Sequence, residues 1–418
     1  MKIAICSDSF LPVIDGVGRV AYEYAWRIAN RGHECHVITP IEPTFYKGGL
    51  NFEINDYTST KMSSSYQYRA GVTTLDPHYL ERIRYVDFDV VHAHTPGSSG
   101  LEAVRLATKL KIPLVGTFHS KYYDDFKQMT GSDMVAKFGV KYVVNFFERC
   151  DEVWTVSNNA AETLKSYGYK GDIIVVPNGS ITEKTVDPMA HINAREKFAI
   201  PEDKPVLLYV GQINKKKNLV NVLDAAAILV KRLDFTMVFA GMGVDESELK
   251  KRSVALGLEK NVIFTGHIYD KNLLDGLYKI ADLFMFPSLY DTAGLVVCEA
   301  ALMGTPSLVV RGSAPAERVT HMKNAVICEN TPDSIADAAI QYLTLDDENK
   351  NLICENARRE IPIPWENVMD IAEERYKSLV GSGTFKRDIF GNISRNRKRI
   401  PLKGGKAFKG NKGNKTRK

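Results

Sequence analysis

The chain has 418 residues, 44% of them apolar and 25% charged, the balance of a soluble globular protein long enough for two domains with separate cores. No run approaches the roughly 18 apolar residues of a membrane-spanning helix, which excludes a helical integral membrane protein. The net charge of +5 hides an asymmetry: residues 386–418 carry roughly +12 and the remainder about −7, so a partner drawn by positive charge is met by the tail.

The chain opens with Met-Lys and runs directly into a strand-like IAIC, so no signal peptide is expected. Six cysteines (Cys6, Cys35, Cys150, Cys298, Cys328, Cys354) are scattered without a C-x-x-C pair, the pattern of buried, reduced thiols in a cytosolic protein rather than of disulfides or zinc.

In the first half, short apolar runs at 3–6, 35–39, 90–94, 114–119, 153–157 and 173–177 alternate with segments of helical period. Such runs predict parallel strands buried on both faces, each followed by a covering helix. The second half repeats the pattern at 206–211, 237–241, 262–266, 283–287, 308–311 and 325–328. The expected fold class is therefore α/β, with two tandem Rossmann-like, doubly wound domains and a ligand cleft between their strand C-termini. Expected boundaries are 1–180 for the first domain and 181–364 for the second. The division falls near 177–205, where NGSITEKTVDP shows no clear period. An amphipathic helix over 365–381 is expected to pack back on the first domain, and 382–418 reads as a basic disordered tail.

The most informative stretch is FPSLYDTAGLVVCEAALMGTPSLVVRG, residues 286–312. It reads as a strand end, a polar loop with Asp291 and Gly294, a helix over about 295–303 and a further strand. Gly294, Leu295 and Val296 present helix-start N–H groups between the carboxylates of Asp291 and Glu299, a site for an anion flanked by hydroxyl-binding acids. A nucleotide sugar is such a ligand. In the apolar helix LVVCEAALM an unpartnered Glu299 would be costly, which favours a polar ligand partner over a solvated residue.

Gly16 and Gly18 fall in a loop after the first strand and before a helix from Arg19; a tight turn is the plainer account. His119 ends the fourth strand beside Thr117 and Ser120, facing the cleft, where a merely satisfied polar histidine is the alternative. His92 and His94 form an H-x-H pair with no third ligand, so no metal site is expected. The D-x-D at Asp87–Asp89 sits at the wrong end of a parallel strand for ligand binding, and capping or solvation explains it better. Lys215, Lys216 and Lys217, after the first strand of the second half, are either a solvated face or the counter-charge for a diphosphate.

Together SDSFLPVIDGVGR, GTFHS, VPNG, VGQINKKKN and the Asp291–Glu299 spacing resemble the retaining glycosyltransferases of family 4, over about residues 1–380. The stretch TAGLVVCEAALMGTP is also similar to bacterial enzymes that glucosylate diacylglycerol. The resemblance implies the GT-B architecture, an α-linked nucleotide-sugar donor and an oxocarbenium-like transition state. It assigns His119, Asp291 and Lys217 to the catalytic centre, with His119 and Asp291 on the donor sugar and Lys217 on the diphosphate. Donor binding falls to Gly16, Gly18, Gln212, Lys217, Gly294, Leu295, Val296 and Glu299, the last on the ribose, with His267 and Ile268 holding the base. Two positions depart from the family pattern. Gln212 stands where an arginine is usual, leaving Lys215 or Lys216 to compensate, and Asp291 where a glutamate is usual.

No tightly bound cofactor or metal is implied; the nucleotide sugar, a UDP-hexose, is a co-substrate. The acceptor is expected to meet the first domain. Residues 121–149 mix Tyr122, Tyr123, Phe126, Tyr142, Phe146 and Phe147 with Lys137 and Lys141, which suits either a core-facing helix with a wet face or a surface that meets lipid. With the 386–418 tail this points to a cytoplasmic enzyme peripheral on the inner face of the plasma membrane, moving glucose to a lipid or glycolipid. Nucleic acid is an alternative partner for the tail. Soluble glycan or protein acceptors, or a sugar-nucleotide-binding protein that has lost catalysis, are the alternative functions.

Overall fold

A computed structural model describes residues 1–12, 15–41, 48–61 and 69–382; the basic stretch 386–418 lies outside them. The first sheet contains β1 (Lys2–Cys6), β2 (Glu34–Pro40), β3 (Glu53–Tyr57), and, after a small antiparallel pair β4 (Thr60–Lys61) and β5 (Arg69–Ala70), β6 (Val90–Ala93), β7 (Leu114–Phe118), β8 (Glu152–Thr155) and β9 (Ile174–Val175). Its order is β3-β2-β1-β6-β7-β8-β9, every neighbour parallel. The second sheet contains β10 (Val206–Val210), β11 (Thr236–Ala240), β12 (Val262–Gly266), β13 (Leu283–Phe286), β14 (Ser307–Val310) and β15 (Val326–Cys328). Its order, β12-β11-β10-β13-β14-β15, is again wholly parallel.

Both sheets are doubly wound. The strand order reverses between β1 and β6 in one and between β10 and β13 in the other, and a crevice opens at the strand C-termini at each reversal. These two crevices place the loops after Cys6, Ala93, Val210 and Phe286 where a ligand between the domains would lie.

Four elements differ from the sequence expectation. β3 was missed because EINDY, at the sheet edge, carries three polar residues in five and reads as loop. The pair β4 and β5 is too short to show a period. The segment around 177–205 contains a helix, Ala190–Phe198, whose buried face is only Ala190 and Ala194. Small residues suffice there because Gly276 of the helix Lys271–Ile280 lies against the Ala190 carbonyl, where a Cβ would sit 2.0 Å from the oxygen. Finally, Gly16 and Gly18 do not precede the first helix but form its opening turn, Gly16–Asn30, capped by Asp15, whose carboxylate accepts from the Gly18 N–H at 2.6 Å. An Asx cap outweighs the low helix propensity of two glycines.

The helix Trp365–Gly381 closes the chain against the first sheet. Trp365, Met369 and Tyr376 share one core with Ile3, Ile5, Tyr24 and Trp154. The Ser180 N–H donates to the Ile363 carbonyl at 2.7 Å, so the two strands of chain that join the domains run side by side. Asp89 of the D-x-D caps the sheet: its carboxylate accepts from the Lys2 N–H at 2.6 Å.

Candidate active site

The loop from Phe286 to Gly294 is held open by Gly294, which caps the helix Leu295–Leu302 at φ 65°, a backbone that disfavours any other residue. A Cβ there would also lie 2.7 Å from Pro315. This geometry leaves the opening amides of the helix without intrahelical partners.

Asp291 sits in that loop, and its Oδ1 accepts from Lys217 Nζ at 2.6 Å. The other oxygen, Oδ2, is buried without a hydrogen-bond partner, an unsatisfied acceptor that a ligand hydroxyl would satisfy. Lys217 ends a 3-10 turn, Lys215–Lys217, and three residues per turn point successive side chains in different directions. Lys215 therefore pairs with exposed Glu248 at 3.0 Å, and Lys216 crosses to Asp125 of the other domain at 2.8 Å. Neither stands beside Asp291. Gln212, exposed, accepts at its carbonyl from the Tyr209 hydroxyl at 2.8 Å.

Glu299 is not the unpartnered carboxylate expected. Its Oε1 accepts from Arg19 Nη2 at 3.0 Å and its Oε2 from the Tyr278 hydroxyl at 3.1 Å. Arg19 belongs to the first turn of the helix Gly16–Asn30, so this pair joins the glycine turn to the second domain. The two Gly16–Gly18 and Gly294–Val296 helix starts are thus brought into one region, flanked by Arg19–Glu299 and Lys217–Asp291.

His119, one residue beyond β7, lies opposite the Asp291 loop, and its carbonyl accepts a hydrogen bond from the Thr292 hydroxyl. Its ring lies end to end with that of His94, the planes 21° apart and the ring centres 5.2 Å apart, with Nε2 3.0 Å from His94 Nδ1. Burial holds His92, His94 and His119 well below the ordinary imidazole range, His119 at about 3, so all three are neutral at pH 7. His267 is exposed, its ring against Tyr269 at 4.4 Å, and Ile268 packs on the second core. Both follow β12, an edge strand two places from β10, and neither makes a hydrogen bond or ring contact with Lys217 or Asp291 among the described residues.

Several cross-domain residues escaped the sequence reading. Tyr290 lies beneath Lys216 and Lys217, 4.6 and 5.6 Å from its ring centre, and its hydroxyl donates to Asp125. Lys121 Nζ donates to the Leu289 carbonyl at 2.6 Å, and burial pulls its pKa down. Glu317 accepts from the Asn158 N–H at 2.8 Å and also from the Asn159 N–H, capping the helix Asn158–Ser166 across the domain boundary. Adjacency marked two of the missed residues, Tyr290 before Asp291 and Arg19 after the glycines; Lys121 opens the stretch 121–149 read as the acceptor side, and Glu317 carried no signal.

The buried histidines also set an acid sensitivity. A folded-state pKa depressed below the unfolded value of about 6.5 means the unfolded chain binds more protons, so stability falls as pH drops below that value. Asp76 and Glu373, each lowered to about 2, by hydrogen bonds to Tyr79 and to Lys377 first, act only below their unfolded values of about 4. Thermal melts are expected to lose midpoint already between pH 6.5 and 5, before the carboxylates contribute; a flat midpoint over that interval contradicts neutral buried histidines.

Two domains, each built on a wholly parallel doubly wound sheet, with their switch points facing one cleft and helix starts at the crevice, have the architecture of the GT-B fold. Residues 14–184 match the model for Glycosyltransferase Family 4 and residues 191–360 that for Glycosyl transferases group 1, and the chain belongs to the family 4 glycosyltransferases. It is similar to the alpha-monoglucosyldiacylglycerol synthase of Streptococcus pneumoniae, 26% identical with 93% of this chain and 88% of that protein covered. It is also similar to a GDP-mannose-dependent alpha-mannosyltransferase of Mycolicibacterium smegmatis, 23% identical with 91% and 98% covered. Among solved structures, Anabaena HepE in complex with UDP shares the fold with a TM-score of 0.73 at 18% identity, covering 91% of this chain and 100% of that one.

Proposed function

We propose that the protein is a retaining hexosyltransferase that moves glucose from UDP-glucose to a membrane lipid or glycolipid. The observation that carries this reading is the Lys217–Asp291 pair with its orphaned Asp291 Oδ2, beside the Gly294 helix start. In this reading Lys217 and the amides of Gly294, Leu295 and Val296 stabilise the departing diphosphate, where preorganised donors matter most. Asp291 and His119 hold the sugar, Gly16 and Gly18 bring backbone close to the donor, and Glu299, released from Arg19, takes the ribose. Gln212, His267 and Ile268 flank the nucleotide. The leaving phosphate takes the acceptor proton on the same face of the sugar, and the interdomain contacts close the cleft against water.

The lipid acceptor is supported by two features. The S. pneumoniae relative is named for a glucosyldiacylglycerol product. The helix Asp133–Glu148 buries Val140, Val143, Phe146 and Phe147 but exposes Met134 at 79% and Phe138 at 76%, with Tyr142 and the exposed Lys137 and Lys141 alongside. Among the described residues no helix is long and apolar enough to cross a membrane, so contact would be peripheral: apolar side chains dip below the headgroups while lysines meet anionic lipid. The 386–418 tail adds to that attraction.

Met134→Asp with Phe138→Asp is expected to lower binding to anionic vesicles at least about tenfold, since each buried large apolar side chain contributes about 1.5–3 kcal/mol. Hydrolysis of the donor in solution should persist. Unchanged vesicle binding would remove this helix from the membrane contact, and a wild-type chain that binds no vesicles would shift the acceptor to a soluble glycan or protein.

The reading as a whole is tested by incubating the full chain with UDP-glucose, UDP-N-acetylglucosamine or GDP-mannose and diacylglycerol vesicles, then reading anomeric configuration by NMR. An α-glucosyl lipid made from UDP-glucose supports it. Transfer from GDP-mannose alone replaces the donor, an inverted product removes the retaining assignment, and no transfer from any donor overturns the diacylglycerol acceptor.

A further inference from the structure

We propose that His94 is a positioning residue for His119: it donates from Nδ1 to His119 Nε2 and so fixes His119 in the tautomer whose remaining N–H, on Nδ1, is the group offered to a ligand. The inference rests on the reading above that His119 contacts the donor sugar.

The protons follow from the surroundings of each ring nitrogen. His94 is fully buried, and burial keeps it neutral, so it carries one ring proton. Its Nδ1 lies 3.0 Å from His119 Nε2, while its Nε2 is buried with no hydrogen-bond partner. A proton on Nε2 would bury an N–H with no acceptor, the rarer kind of unsatisfied group, whereas a bare ring nitrogen among aromatic rings loses less. The proton therefore sits on Nδ1 and is donated. His119 Nε2 must then be the acceptor, and neutral His119 carries its proton on Nδ1. That nitrogen makes no hydrogen bond among the described residues.

The ring of His94 is held for this task. His92 lies against it with ring centres 4.2 Å apart and Tyr24 meets it edge-on at 5.0 Å. His92 is itself tied at both nitrogens, to the Thr117 hydroxyl at 2.7 Å and the Tyr376 hydroxyl at 2.6 Å. The row of rings runs from the closing helix to the cleft, so His119 has little freedom to rotate or to change tautomer. A donor Nδ1–H suits a sugar hydroxyl or ring oxygen, and a histidine so fixed cannot act as a base at that atom.

The test combines NMR and kinetics on the full chain. With ring-15N histidine, and the His119 signals assigned by their loss in His119→Ala, the wild type should show a protonated, pyrrole-type Nδ1 and a bare, pyridine-type Nε2. His94→Phe keeps an aromatic ring, somewhat larger than the imidazole, but removes the donor. It should leave His119 as a mixture of tautomers and lower kcat by about tenfold or more, a smaller loss than the roughly 10⁴-fold that follows when the group fixing the tautomer of a triad histidine is changed, with KM moved less than about twofold. His94→Asn, whose side-chain amide can reach the same acceptor, should restore the tautomer and part of kcat. A wild-type His119 protonated on Nε2 overturns the proposal, as does a folded His94→Phe with unchanged tautomer or unchanged kcat. If His119→Ala itself transfers at the wild-type rate, the ligand role of His119 fails, whatever the tautomer shows.

Discussion

Asp291→Asn is expected to fold normally and to lose transfer by about 100- to 1,000-fold, the range seen when one preorganised polar contact to a transition state is removed. The loop does not depend on the charge. The Asp291 N–H is 3.4 Å from the Ser288 hydroxyl, and Thr292 is tied to the His119 carbonyl, and neither contact uses the Asp291 side chain. What changes is chemistry: one carboxylate oxygen that Lys217 holds at 2.6 Å and one with no partner become an amide with a single acceptor and two donors. Melting midpoint and UDP affinity, read by calorimetry, should move little while the single-turnover rate collapses. A variant that transfers at the wild-type rate removes Asp291 from the sugar site.

Lys217→Met is expected to cost a similar factor and, unlike Asp291→Asn, to weaken UDP binding as well. With Lys215 committed to Glu248 and Lys216 to Asp125, Lys217 is the lysine of the run left beside Asp291, and Gln212 supplies no charge where the family has an arginine. Methionine keeps the unbranched stem, so packing is preserved and charge is lost. Because the two side chains touch, the double variant should fall well short of the product of the single losses. Full multiplicativity, or unaltered UDP affinity, would show that Lys217 does not meet the diphosphate.

The fold was legible because buried parallel strands must be apolar on both faces, and runs such as those at 3–6 and 206–211 cannot be much else. The site was legible in part. The Asp291–Gly294–Glu299 stretch carries its strand end, loop and helix start within a few residues, so local rules reach it. Glu299 shows where they fail: a glutamate in an apolar helix reads as waiting for a ligand, yet Arg19, 280 positions earlier, already pairs with it. The first helix fails differently, since Asp15 as a cap overrides glycines that read as loop.

By itself, then, the sequence determined two tandem doubly wound sheets, the loops at their switch points and the residue types that line them, because strand burial and helix starts are written in periods of two to four residues. The tertiary structure alone decided which polar side chains meet: Arg19 with Glu299, Lys216 and Tyr290 with Asp125, Lys217 with Asp291, His94 with His119. The first two of those pairings depend on how the two sheets face one another, and the last two on which strands lie side by side within a sheet, β10 with β13 and β6 with β7; no local period carries that information.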